Sequence, residues 1–258
     1  MAPNSPDEPV LQVLHDAATA VRRALDQLED WGLAGTRDGQ YRTDLVADSA
    51  ALKVLDAAGF GAMSEESGDH HPERDIVVVI DPVDGSTNAS RGLPWFATSL
   101  CALDATGPLA AVVVNQATGV RFDAVRGSGA RRDGHPIRPT ACAELGDALV
   151  AVNGYPVRHL GWKQFRALGA AALDLCAVAC GSVDAYVDCT RRSHGPWDYL
   201  GGMLVCEEAG AVVVDVFDEE LVVRGHGDRR TPLAAATPML AKRLLAAVRD
   251  GRSASPTG

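Results

Sequence analysis

Apolar residues recur at three- and four-residue steps from Val10, through Leu11, Leu14, Ala18, Val21, Leu25 and Leu28, and predict an amphipathic helix. Arg22, Arg23, Asp26 and Glu29 take its wet side, and Gly32 and Gly35 are expected to end it. The stretch Tyr41-Arg42-Thr43-Asp44-Leu45-Val46-Ala47-Asp48-Ser49 leads into a second predicted helix over 50–58, with Asp48 at its N-cap. Ser64-Glu65-Glu66-Ser67-Gly68 reads as a polar turn. The run Ile76-Val77-Val78-Val79-Ile80 is continuously apolar and β-branched, the pattern of a strand buried on both faces. It stops at Asp81-Pro82-Val83-Asp84-Gly85-Ser86-Thr87-Asn88, where a proline and a glycine make a stiff turn and small hydroxyl residues suit a helix start.

Further strands are predicted over 96–103, 110–115 and 121–125, split by Thr106-Gly107-Pro108 and Thr118-Gly119. Arg126-Gly127-Ser128-Gly129-Ala130 follows a strand but runs into another turn, so it reads as a hairpin connection, not a dinucleotide loop. Near Asp147 the composition changes. A strand over 149–152, a small-residue-rich helix over 165–179 and a strand over 183–187 are expected there. A polar loop over 188–194 follows, then a helix from Pro196, suited to a first turn, to position 209. Strands over 211–216 and 221–223 and a helix over 238–248 complete the chain, and residues 1–9 and 251–258 are expected to be loose ends. Short strands and helices mix without repeats, which points to an α+β or α/β fold of sheets covered by helices. Its two halves are 10–146, carrying Glu65, Asp81 and Asp84, and 147–250, carrying Asp198.

The 258 residues can bury a sizeable core, and 47% hydrophobic with 22% charged content is ordinary for a globular protein. No secretory signal pattern and no bilayer-length apolar run is expected, and six cysteines without a CxxC spacing read as reduced thiols of a cytoplasmic protein. With 24 Lys and Arg against 34 Asp and Glu the net charge is −10, which argues against nucleic acid as a partner. An acidic site in an acidic protein binds a phosphate only when bound cations reverse the local field. Carboxylates at the end of a buried strand are costly until something cationic neutralises them. Asp81 and Asp84 therefore suit an oxygen-ligated divalent metal with a phosphate on the helix start, although the octapeptide alone fits a helix-capping turn equally well. Likewise Asp48 alone is an N-cap, and Glu65 alone a surface acid. No Gly-x-Ser-x-Gly elbow is present for a Ser-His-Asp hydrolase, and Asp81 and Asp84 lie too close on one turn to flank a sugar easily.

Three motifs in order resemble those of the inositol monophosphatase family: Ser64-Glu65-Glu66-Ser67, Asp81-Pro82-Val83-Asp84-Gly85-Ser86-Thr87-Asn88 and Trp197-Asp198-Tyr199-Leu200-Gly201-Gly202. The resemblance implies a layered α-β-α-β-α sugar-phosphatase-like fold with two sheets. It implies that Glu65, Asp81 and the Val83 carbonyl hold one Mg2+ and that Asp81, Asp84 and Asp198 hold a second, with Mn2+ as a substitute. A third ion would sit near Asp48, though the early acidic segment is shortened here to Asp44-Leu45-Val46-Ala47-Asp48. Ser86 stands where the family has the threonine that helps activate water, and Gly85 and Ser86 would offer amides to the phosphate. Glu65, Ser86 and Asp84 are thus the expected catalytic set. Asp188 is the expected contact to substrate hydroxyls, and Arg191, in a basic loop with Arg192 and His194, is a further substrate candidate. The expected reaction is in-line hydrolysis of a small phosphomonoester by metal-activated water, on inositol monophosphate or a related polyol phosphate. Histidinol phosphate, fructose 1,6-bisphosphate and phosphoadenosine phosphate are alternative substrates, and a catalytically idle metal-dependent binding protein or a purely structural metal site the alternative roles. A homodimer is also implied by the resemblance.

Overall fold

The computed structural model of the protein describes residues 7–35 and 40–253. Of the expected loose ends, positions 1–6 and 254–258 lie outside the described residues, whereas the first helix already begins at Glu8 and the last runs to Ser253.

Eight strands build the first sheet: β1 (Gly61–Ser64), β2 (Gly68–His70), β3 (Val77–Asp84), β4 (Ala97–Asp104), β5 (Gly107–Asn115), β6 (Arg121–Val125), β7 (Ala130–Arg132) and β8 (His135–Pro136). They lie in chain order except that β2 occupies the edge outside β1, and β1 runs parallel to β3. Five more build the second: β9 (Leu149–Asn153), β10 (Gln164–Arg166), β11 (Ala185–Asp188), β12 (Val212–Asp215) and β13 (Pro232–Ala235), in the order β10-β9-β11-β13-β12. The helices are α1 (Glu8–Asp26), α2 (Arg42–Ala57), the single turn α3 (Ser86–Ser90), α4 (Ala171–Ala179), α5 (Pro196–Ala209) and α6 (Pro238–Ser253).

Helices and sheets alternate as α-β-α-β-α. The apolar faces of α1 and α2 (Leu14, Val21, Leu25, Ala51, Leu55) pack on Val78, Ile80, Leu100 and Val112 of the first sheet. On that sheet's other side Val79, Cys101 and Val113 meet α4 and α5, which also cover Ala151, Tyr186 and Ala234 of the second sheet. The outer face of the second sheet is closed by Leu240, Leu244 and Val248 of α6. Alternate residues of each strand thus serve opposite cores, which is why the central strands read as unbroken apolar runs. The middle layer is tight because α5 carries Gly201-Gly202. A methyl group on Gly201 would lie 2.7 Å from Ser99 Oγ, and one on Gly202 2.7 Å from Leu175 Cβ.

Several elements depart from the sequence pattern. The second helix opens at Arg42, eight residues before the predicted start, because the Asp44 carboxylate accepts the Tyr41 N–H at 2.8 Å and caps it there. Asp48 is therefore no N-cap; it is buried on the inner face of α2. The predicted helix over 165–179 is a short edge strand, β10, followed by a turn at Gly169 (φ +85°) and then α4. The strand predicted over 221–223 does not form; buried Leu221 instead anchors a loop, its carbonyl accepting the Tyr199 hydroxyl at 2.7 Å. The missing ladder is supplied by β13, antiparallel to both β11 and β12. All six cysteines are free, and among the described residues no helix is long and apolar enough to cross a membrane.

Candidate metal centre

Register places the first two acids side by side. β1 and β2 form a hairpin across Glu65-Glu66-Ser67, closed by Gly68 in the left-handed region (φ +79°), and Ser64 of β1 lies opposite Ile80 of β3. The Glu65 N–H continues this ladder onto the Ile80 carbonyl at 3.1 Å, so Glu65 stands next to Asp81 at the end of β3. There β3 pairs Asp81 with Ser99 but Asp84 with Ala97, so one extra residue bulges out of β3. Pro82, which has no N–H to give a ladder, occupies that bulge. Asp81 Oδ1 braces it by accepting the Val83 N–H at 3.0 Å, and the Pro82 carbonyl accepts the Thr98 hydroxyl at 2.8 Å.

The third acid comes from the second half of the chain. Pro196 opens α5, and Asp198 in its first turn accepts the Gly195 N–H at 2.7 Å. Carboxylate oxygens of Glu65, Asp81 and Asp198 all lie within 4.8 Å of one another. Burial, and then the charges of Asp198 and Glu66, push the Glu65 carboxyl up to about 8. Burial and the charge of Glu65 hold Asp81 well above the ordinary carboxylate range. Three hard oxygen donors, of which Glu65 and Asp81 are made reluctant to ionise by burial and neighbouring acids, are the chemistry a divalent cation satisfies. The residues fit such an ion.

Asp84 lies outside that group of three. Its two oxygens accept the first amides of α4, Ala171 N–H at 3.2 Å and Ala172 N–H at 2.7 Å, and burial followed by the charge of Asp198 raises its pKa well above the usual range. The turn after it is cramped. Asn88 Nδ2 donates to the carbonyls of Trp95 (2.8 Å) and Leu168 (2.7 Å), tying α3 to the segment before α4. Gly85 has φ +84°, and a Cβ there would lie 3.0 Å from the Gly169 carbonyl oxygen and 3.1 Å from Ala170 Cβ. Gly85→Ala is expected to destabilise the fold by at least about 1–2 kcal/mol from the left-handed backbone alone, checked by urea denaturation. Ser86 follows, half-buried, at the first position of α3.

The sequence model of the inositol monophosphatase family matches residues 7–253. The chain belongs to the inositol monophosphatase family. It is 33% identical over 235 residues to the Nus factor SuhB of Salmonella typhimurium LT2, covering 84% of each chain. To the fructose-1,6-bisphosphatase/inositol-1-monophosphatase of Archaeoglobus fulgidus it is 32% identical over 221 residues, covering 82% of this chain and 86% of the relative. The solved inositol monophosphatase of Anabaena (Nostoc) sp. PCC 7120 superposes with a TM-score of 0.79 at 25% identity, over 95% of this chain and 97% of that one. The layered architecture described above is the fold of this phosphatase family.

Around the acid cluster the remaining candidates fall in different places. Asp48 Oδ1 accepts the Ser64 hydroxyl at 2.6 Å, one residue from Glu65. Asp188 is fully buried at the end of β11, and its oxygens accept Asn153 Nδ2 (3.1 Å), the Thr190 N–H (2.9 Å) and the Ser193 hydroxyl (2.6 Å). Arg191 is exposed and lies over the Phe217 ring at 4.8 Å, and Arg192 pairs with Glu219. The basic loop is thus engaged by the segment after β12. His194, by contrast, is buried, with Nδ1 at 3.3 Å from Asp198 Oδ2 and Nε2 at 2.7 Å from the Tyr186 hydroxyl. Sequence reasoning grouped it with the two arginines by charge; its spacing of four from Asp198, across a helix start, was the signal that separates it. His226 was missed altogether. It lies in the loop before β13, its ring 4.7 Å from that of Trp197 and its Nε2 3.1 Å from the Ser64 carbonyl, joining the neighbours of Asp198 and Glu65.

Proposed function

We propose that the protein is a Mg2+-dependent phosphomonoesterase of small phosphorylated polyols, with inositol monophosphate as the leading substrate. The observation that carries this reading is the meeting of Glu65, Asp81 and Asp198, from a hairpin turn, a strand end and a helix start, within 4.8 Å. Glu65, Asp81 and the Val83 carbonyl would hold one ion, and Asp81, Asp84 and Asp198 a second, with Asp48 available to a third and Mn2+ able to substitute. Bound divalent cations supply neutralisation of the phosphoryl oxygens and a lowered pKa for the attacking water. The amides of Gly85 and Ser86 would orient the phosphate, the Ser86 hydroxyl would accept a hydrogen bond from the attacking water, and the Glu65 carboxylate would take the one proton that the water gives up. In the half spanning 147–250, exposed Arg191 remains the residue proposed to face the polyol side, and Asp188 would contact it only by exchanging the hydrogen bonds it receives from Asn153, Thr190 and Ser193. The surroundings are read as cytoplasmic and the working form as a homodimer, which sedimentation velocity at low concentration tests.

The deciding measurement is phosphate release from inositol 1-phosphate, fructose 1,6-bisphosphate, histidinol phosphate and phosphoadenosine phosphate, with Mg2+ omitted and restored. Metal-dependent turnover of inositol 1-phosphate that Asp84→Asn removes is expected. Folded protein with no metal-dependent release on any of the four would overturn the reading. Fructose 1,6-bisphosphate is the second substrate reading, favoured by the 32% identity to a relative named for both activities.

A further inference from the structure

Asp198 is seated by a buried polar chain through His194 and Tyr186, with Asp188 Oδ2 3.8 Å from the far nitrogen of the histidine. His194 stands four residues before it, and its backbone is locked to Arg230 in both directions, His194 N–H to the Arg230 carbonyl at 3.2 Å and Arg230 N–H to the His194 carbonyl at 2.8 Å. The ring has little freedom to turn. Nδ1 faces Asp198 Oδ2 at 3.3 Å, and Nε2 meets the hydroxyl of fully buried Tyr186 at 2.7 Å. Asp198 Oδ2 already accepts the Gly195 N–H, so it meets the ring as an acceptor and the proton between His194 and Asp198 sits on Nδ1. The hydroxyl of Tyr186 suits either state of the other nitrogen, donating to a bare Nε2 or accepting from a protonated one. In both, Nδ1–H points at Asp198. Asp198 Oδ2 thereby takes two donors, this one and the Gly195 N–H at 2.7 Å.

We propose that His194, held by Tyr186, is a positioning residue for Asp198: by engaging Oδ2 it leaves Oδ1 to the acid cluster and so sets the affinity of that cluster for a divalent cation. The inference rests on the metal-dependent reading above and extends it to side chains that do not touch the ion. Outer partners that orient a liganding carboxylate govern metal affinity in this way. The ordinary role of a buried histidine, filling space with its hydrogen bonds satisfied, would leave cation affinity indifferent to the donor. The two roles separate experimentally, because an asparagine amide nitrogen can stand where Nδ1 stands, a glutamine reaches the Nε2 position, and leucine fills the volume without donating.

Mn2+ binding to the full-length protein, followed by the electron paramagnetic resonance of the free ion, reads the effect without reference to turnover. His194→Leu and His194→Gln are expected to weaken Mn2+ binding by about 10–100-fold, and His194→Asn to restore most of it. Tyr186→Phe, the milder change, is expected to weaken binding by a smaller factor in the same direction. If His194→Leu and Tyr186→Phe bind Mn2+ as wild type does, or if His194→Asn loses as much as His194→Leu, the positioning role is wrong. Asp198→Asn is the control: weak binding by it alone would sink this inference and leave the phosphatase reading standing. Failure of wild type to bind Mn2+ would overturn both. A further readout needs no substitution: 15N spectra of the histidine rings should show a proton on His194 Nδ1, and a bare Nδ1 would refute the arrangement.

Discussion

Asp81→Asn is expected to cut phosphate release by at least about 10^3-fold, the several kcal/mol that a correctly held cation contributes to the transition state, while making the metal-free protein more stable at pH 8. The two effects share one cause. Asp81 is 2% exposed, beside Glu65 and with Asp84 and Asp198 as further acidic neighbours, so its charge is unfavourable in the fold until a cation arrives. The neutral amide removes that repulsion, and its own carbonyl oxygen can still accept the Val83 N–H that braces the bulge. Steady-state kinetics at saturating Mg2+ and thermal melting after chelation check the pair of outcomes. Activity above a tenth of wild type, or a lower metal-free Tm, would contradict the account.

Chelation should leave a protein whose stability falls as pH rises, opposite to the usual carboxylate case. A free glutamate ionises near 4.5, whereas Glu65 in the fold holds its proton to about 8, and Asp81 and Asp84 are displaced in the same direction by burial. Groups with raised folded-state pKa values contribute stability in full below the unfolded value and lose it as pH climbs through the folded one. The metal-free Tm is therefore expected to drop between about pH 5 and 8 on the order of 10 °C, each kcal/mol being worth about 2–4 °C at this chain length. Added Mg2+ should recover that loss at pH 8 and do little at pH 5, where protons compete for the same oxygens. Melting curves at the two pH values, with and without Mg2+, decide it; a metal-free Tm that stays level across the range would refute the electrostatic picture.

How much of this was legible beforehand depended on whether the controlling interaction was local. The strand before Asp81, the turn at Ser64–Gly68 and the Pro196 helix start are each written in a few adjacent residues, and the structure has them in those places. The two faces of the first sheet were legible too, since residues buried on both sides leave no polar alternation. What escaped notice depended on partners far away. Asp44, not Asp48, starts α2 because its carboxylate turns back to Tyr41, a choice between two similarly spaced acids that helix periodicity does not make. β13 is apolar only through Leu233 and alanines, and its identity comes from lying between β11 and β12. Asp84 is spaced as a partner of Asp81 and is one of its acidic neighbours, but no local pattern shows that its oxygens also accept the first amides of α4, 87 and 88 residues onward. The basic loop divides for the same reason: charge count groups Arg191, Arg192 and His194, while burial puts only the histidine against Asp198.

The acid cluster is split between distant stretches of the polypeptide, with two members on the β1–β3 ladder and the third on α5, wedged between the sheets by its glycine pair. During synthesis Glu65 and Asp81 leave the ribosome more than a hundred residues ahead of Asp198. Until α5 is made, the first sheet lacks that helix's cover over Val79, Cys101 and Val113, and the cluster lacks its third acid. If the cluster acts as proposed, competence cannot precede the translation of α5, and truncated products stopped short of it are expected to be hydrolytically silent.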